Sequence, residues 1–135
     1  MSTDADRIRL LRQWVEKAEH DLRTGEHTLT LLTDCPFDTI AFHMHQCVEK
    51  YLKAFLYWRE VEFPRTHDRR SLLQLTPSSL RENLDPVAVI GLNRYVIEGR
   101  YPGDWDPITR ADAEAAIAVA RFVRNAVKVL LPIEA

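Results

Sequence analysis

The sequence predicts an all-α protein, an up-and-down helical bundle of about five helices in which a short helix joins a four-helix core. Three observations carry this. Apolar residues recur at alternating steps of three and four through most of the chain, the period of a helix with one buried face. Only four glycines occur in 135 residues, which leans the composition towards helix. No stretch reads as a credible strand. The length fits one domain, residues 1–135, around a single core.

Ile8, Leu11, Val15, Ala18, Leu22, Gly25, Leu29 and Leu32 mark one face of a long first helix. Thr3 and Asp6 resemble a capping box at its start, and Cys35-Pro36 stops it, because the residue before proline is pushed out of helical angles. A second helix, from about Phe37 to Arg59, is apolar over most of its circumference and forms the centre of the core. At about 100° per residue its His43, Gln46, Lys50, Lys53 and Tyr57 share the remaining arc, with Glu49 at the edge. Thr66 or Asp68 caps a short helix carrying Leu72, Leu73 and Leu75 that ends near Thr76-Pro77. A fourth starts at Asp85-Pro86 and carries Val89, Ile90, Leu92, Tyr95, Val96 and Ile97, with Gly99 as its stop. Residues 100–107 read as a structured loop. Thr109 and Asp112 form a second capping box, before a last helix with Ala113, Ala116, Ile117, Ala120, Val123, Val127 and Leu130 inward.

Eighteen Lys and Arg against twenty Asp and Glu give a net charge of -2, so a generally basic, nucleic-acid-coating surface is excluded and any polyanion site is local. Cys35 and Cys47 are too few for a disulfide framework and read as reduced thiols of a cytoplasmic protein. No apolar run reaches the roughly 18 residues of a membrane span, and the N-terminus has no apolar targeting segment.

Lys50 and Lys53 project from the same side of the second helix, where two ammonium groups can hold a phosphate. Alternatively they snorkel from a buried helix only to stay wet. Gln46 and His43 extend the stripe, and polar residues are costly on a helix whose other faces are buried. His67, with Arg65, Arg69 and Arg70 around it, suits a phosphate or equally a cap. Arg100 and Tyr101 stand before Pro102 on a stiffened backbone that presents both in a fixed direction, unless Arg100 bridges to an acid of the bundle. His43 and His45 lie about 200° apart and cannot share a metal; no metal site or cofactor is expected. Glycine-rich phosphate loops, nucleophile elbows and HExxH are absent.

Trp14-x-x-Lys17-Ala18-x-x-Asp21-Leu22, His43-x-x-Gln46-x-x-Glu49-Lys50-x-x-Lys53-Ala54, Arg65-Thr66-His67-Asp68 and Arg100-Tyr101-Pro102, in this order, resemble the HEPN domain from about Trp14 to Leu130. The resemblance implies a helical bundle, frequently homodimeric, with a nucleotide or RNA site in a groove between or beside the protomers. It also implies work beside a small nucleotidyltransferase, as a two-component or toxin-antitoxin pair. Catalytic members carry an Arg followed after about four to six residues by a His, and cleave RNA without metal. None of His20, His27, His43, His45 or His67 has an arginine at that distance, so ribonuclease chemistry does not carry over: moving the 2′-OH proton and stabilising the developing charge need both groups.

The expected function is therefore a HEPN-like protein, non-enzymatic or weakly active, that binds a nucleotide or a nucleotidyltransferase partner through Gln46, Lys50, Lys53, His67, Arg100 and Tyr101. Lys50, Lys53 and Arg100 would hold phosphate, Tyr101 would contact the base, and Gln46 and His67 would orient. The rivals are a metal-independent ribonuclease toxin and a non-catalytic interaction module whose stripe satisfies itself. A homodimer is expected because Trp14, Trp58, Tyr95 and Trp105 exceed what a small bundle readily buries.

Overall fold

Helix starts form where the capping pairs place them. Thr3 Oγ1 accepts from the Asp6 amide at 3.1 Å and opens α1 (Asp4–Thr28). Thr109 and Asp112 exchange both hydrogen bonds of a capping box at the head of α6 (Arg110–Lys128). Between them the computed structural model, which describes residues 3–65, 68–95 and 107–133, has α2 (Phe37–Trp58), α3 (Arg69–Leu75), α4 (Ser78–Arg81), α5 (Pro86–Gly91) and a 3-10 turn, Leu92–Tyr95. There is no strand among the described residues.

α2 is the hub, as its apolar circumference predicts. Ile40, Ala41, Met44, Cys47, Val48, Tyr51, Leu52, Ala54, Phe55 and Leu56 are fully buried, and α1, α3, α6 and the 3-10 turn all pack on it. The side-chain pairs give the directions. Asp21 meets His43 and Lys50, Glu19 meets Tyr51, and Arg7 reaches the Trp58 carbonyl at 2.8 Å, so α1 and α2 run antiparallel. Glu26 meets Arg121 and Glu19 meets Arg124 and Lys128, so α6 is antiparallel to α1 as well. Gly25 lies at the α1–α2 contact, where a Cβ would run into Met44 Cε.

Four expectations need correction. α1 ends at Thr28, not near Leu32: the Thr28 and Thr30 hydroxyls bond the Thr24 and His27 carbonyls and finish the helix, leaving Leu32 98% exposed. Asp34, with φ 52°, then turns the chain into Cys35-Pro36, a backbone state that a short polar side chain tolerates. α4 escaped notice because four residues cannot display a period; only its Leu80 is buried. The expected fourth helix tightens into the 3-10 turn at Leu92, and Val96, Ile97 and Gly99 lie outside the described residues. Because α6 stops at Lys128, Leu131 rather than Leu130 fills the core beyond it. The aromatic excess is largely taken up within the chain: Trp14 and Trp58 pack half-buried on the core and Tyr95 is buried, while Trp105 lies outside the described residues.

Glu19 fastens the three long helices together. It accepts from the Tyr51 hydroxyl, from Arg124 Nε at 2.5 Å and from Lys128 Nζ at 3.0 Å. Burial pushes its carboxyl up, but the hydrogen bonds from Tyr51, Arg124 and Lys128 outweigh that and bring it down to about 2. A carboxyl lowered in the folded state contributes stability above its unfolded value, and this is lost as pH falls towards 2. Glu19→Gln is therefore expected to cost about 1–3 kcal/mol at pH 7, the worth of hydrogen bonds to a charged group. Urea titrations repeated at falling pH should show the gap between variant and wild type closing below the ordinary carboxylate range; a gap independent of pH would refute the role.

Candidate functional site

The polar arc of α2 forms one stripe, as the helical period requires, and its cations are matched from within the chain. Asp21, on the buried side of α1, takes Lys50 and His43: Oδ2 lies 2.5 Å from Lys50 Nζ and Oδ1 lies 2.8 Å from His43 Nδ1. One turn along, Lys53 Nζ reaches Glu49 Oε1 at 2.6 Å across an i, i+4 step and stands 5.9 Å from the Phe63 ring centroid. Phe63 packs edge-on to Trp14 of α1 with centroids 6.2 Å apart. Gln46 is half-buried between the two pairs, and Tyr57 is half-buried further along.

Lys50 keeps 27% of its side chain exposed and Lys53 only 12%, so the stripe is a half-sunken polar seam rather than a field of free ammonium groups. Gln46, Lys50 and Lys53 share it as the sequence predicts. His67, Arg100 and Tyr101, assigned to the same site from sequence, lie outside the described residues.

Behind the stripe is a second polar cluster that the sequence reading missed. Arg69, the first residue of α3, has no exposed surface, and its Nη1 lies 3.7 Å from Glu49 Oε2 while donating to the His45 carbonyl at 3.0 Å. The same nitrogen is in close contact with His45 Nδ1, and since a guanidinium can only donate, that ring nitrogen must accept. Arg69 Nε and Nη2 are buried without a hydrogen-bond partner among the described residues. Burial lowers the guanidinium to about 10 against the opposing pull of Glu49 and Asp68, so it stays charged at neutral pH. Among the described residues Glu49 thus serves one cation from α2 and one from α3.

The backbone sets this geometry. Asp68 caps α3, accepting from the Arg70 amide at 2.9 Å and from Asn93 Nδ2 at 2.8 Å, while Asn93 Oδ1 takes the Arg69 amide at 3.1 Å; Thr66, the other candidate, lies outside the described residues. α3 is thus pinned to the 3-10 turn with Arg69 pointing inward. A signal was present: Arg69 shares the helical face of Leu72, Leu73 and the buried Thr76, and His45 and Glu49 share that of Leu52 and Leu56.

Arg69 and His45 are an arginine and a histidine brought together by folding, 24 residues apart in sequence. Both are wholly buried, so no RNA phosphate can reach them as they stand. The thiol of Cys47 is no nucleophile either: burial first, then the charge of Asp21 and Glu19, pushes it up.

A model of the HEPN domain matches residues 11–130 of this 135-residue chain. The chain belongs to the HEPN family. The crystal structure of an archaeal HEPN homologue superposes with a TM-score of 0.66 at 22% sequence identity, over 89% of this chain and 96% of that one, a likeness of fold. A comparison with curated proteins gives no match. The family sequence pattern and the bundle agree, and no described helix of this HEPN protein is long and apolar enough to cross a membrane.

Two substitutions separate the parts of the buried cluster. Glu49→Ala leaves Arg69 and Lys53 without their shared carboxylate and is expected to cost about 3–5 kcal/mol of stability, the usual result of stranding a buried charge. Arg69→Met removes the guanidinium with its two unsatisfied nitrogens and leaves Glu49 with Lys53, so unfolding in urea should be unchanged or shifted to higher denaturant. Equal losses in both would mean that the guanidinium is a net stabiliser.

Proposed function

We propose that this HEPN protein is a non-catalytic, cytoplasmic partner-binding module, the helical member of a two-component, toxin-antitoxin-like pair with a small nucleotidyltransferase. One observation carries the reading: Lys50 and Lys53 are each held by a carboxylate of the same chain at 2.5–2.6 Å. A stripe with its charges already met has little excess attraction for a free polyanion, and a half-buried neutral polar seam beside Trp14 and Phe63 is the kind of surface a protein partner covers. The buried position of the Arg69–His45 pair supports the absence of ribonuclease chemistry.

The second reading is uptake of a nucleotide or RNA phosphate by Gln46, Lys50 and Lys53 together with His67, Arg100 and Tyr101. It is favoured by the sharing of Glu49 between Lys53 and Arg69, which leaves that carboxylate over-subscribed. A phosphate would enter by taking the place of Asp21 or Glu49 on a lysine.

Titration with ATP and with single-stranded RNA at low ionic strength distinguishes the readings, since a Debye length of ~30 Å at 0.01 M leaves charge attraction least screened. The expected result is no saturable uptake and no cleavage, with a stoichiometric complex on co-expression with a small nucleotidyltransferase. Saturable binding that weakens in both Lys50→Ala and Lys53→Ala would transfer the function to the phosphate reading. Cleavage of RNA that is lost in His67→Ala would transfer it to the ribonuclease.

A further inference from the structure

Glu49 stands between two cations and serves them unequally. Its Oε1 accepts a hydrogen bond from Lys53 Nζ at 2.6 Å, while its Oε2 lies 3.7 Å from Arg69 Nη1, close enough for an ion pair and too far for a hydrogen bond. The two cations also differ in what else can satisfy them. Lys53 keeps 12% of its side chain exposed at the outer edge of the seam, beside the Phe63 ring, and can turn to water or to an incoming group. Arg69 has no exposed surface, and its Nε and Nη2 are buried without a hydrogen-bond partner. Unmet donors in the interior are costly, so a closer approach of Glu49 is worth more at Arg69 than at Lys53.

We propose that Glu49 is a relay: a carboxylate of the bound partner takes Lys53, Glu49 turns to Arg69, and occupation of the α2 seam is thereby transmitted to α3. The relay rests on the partner-binding reading of that seam. Lys53 is already satisfied before the exchange, so the driving force lies at Arg69, whose guanidinium gains the carboxylate that Lys53 gives up. Glu49 itself shows what Lys53 accepts here, one carboxylate oxygen at 2.6 Å, and an Asp or Glu of a protein partner replaces it like for like. A terminal phosphate, with up to about two charges at neutral pH, would press the second against Asp21 and Glu49 in half-buried surroundings.

The backbone carries the effect onward. Arg69 is the first residue of α3; its amide donates to Asn93 Oδ1 at 3.1 Å, and the capping Asp68 accepts from Asn93 Nδ2 at 2.8 Å. Asn93 belongs to the 3-10 turn, so the start of α3 is already tied to that turn and, through the His45 carbonyl, to α2. Drawing the guanidinium onto Glu49 adds a charged anchor at this junction. The coupling is reciprocal: removing the guanidinium leaves Glu49 on Lys53 and weakens the hold of the seam on a partner carboxylate by the same factor.

Amide hydrogen exchange of the full chain tests the relay without a partner, because Lys53→Met removes the competing cation much as a partner carboxylate would. Exchange at Leu72, Leu73 and Leu75 is expected to slow at least about threefold relative to α1 and α6, the lower end of coupling within a shared ion network. Lys53→Arg, which keeps a cation on Glu49, should exchange like the wild type, and Lys53→Met should have no such effect in an Arg69→Met background. Circular dichroism establishes the helicity of each variant. Unchanged or faster exchange of α3 in Lys53→Met, or equal slowing with the guanidinium removed, would overturn the relay. In the complex with a small nucleotidyltransferase, Arg69→Met should weaken binding by about the same threefold, although Arg69 has no surface for a partner to touch. An unchanged affinity would overturn the link to the seam, and slowing of α3 by ATP alone would overturn the partner carboxylate in favour of phosphate. Absence of any complex would remove the partner reading, and the exchange cycle still decides the relay.

Discussion

Burial of α2 from nearly every side is the constraint on which the rest of the structure depends. Its composition is too apolar to leave in water, and α1, α3, α6 and the 3-10 turn each cover part of it. A helix so enclosed can carry polar groups only where neighbours answer them, since an unpaired buried charge costs several kcal/mol. Several polar residues of α2 therefore dictate something on another element. Lys50 and His43 require Asp21 on α1, Tyr51 finds Glu19, and Glu49 faces Arg69 on α3. The carboxylates of α1 and α2 are positioned by packing and in turn fix the register of the helices they join.

This wiring has consequences for function. A pair of lysines one turn apart on a HEPN helix invites a phosphate-binding reading, yet a lysine already 2.5 Å from a carboxylate offers an incoming anion an exchange rather than a gain. Net attraction then depends on what the anion adds beyond what Asp21 or Glu49 already supplies. The same logic applies to Arg69 and His45: the chemistry of the pair would suit phosphate, and its burial withdraws it from any surface substrate. Among the described residues the fold leaves on the surface a compensated polar seam on α2 and, on α6, the exposed Phe122 and Val129.

Much of this was legible in the residues. The apolar circumference of α2, both capping threonines, the glycine-poor helical spans and the inner face of α6 follow from the 3.6-residue period and from the chemistry of helix ends, both local properties of the chain. The grouping of Gln46, Lys50 and Lys53 on one side of α2 is equally local. Arg69 was harder, because beside His67, Arg65 and Arg70 it reads as part of a phosphate-binding neighbourhood; only its step of three and four to Leu72 and Leu73 marked it as inward.

The sequence by itself determined the class of fold, the position of the long helices and the face each turns to the core, because those depend on interactions within a few turns. The tertiary structure decided which carboxylate meets which cation. Asp21 and Lys50 are 29 residues apart and Glu19 and Arg124 are 105 apart, and no local rule selects such partners. It also decided that α1 ends at Thr28, and that α6 leaves Phe122 and Val129 exposed, since their exposure depends on where the other helices stop. Periodicity tells which side of a helix is apolar, and only the packed bundle shows which apolar side remains uncovered.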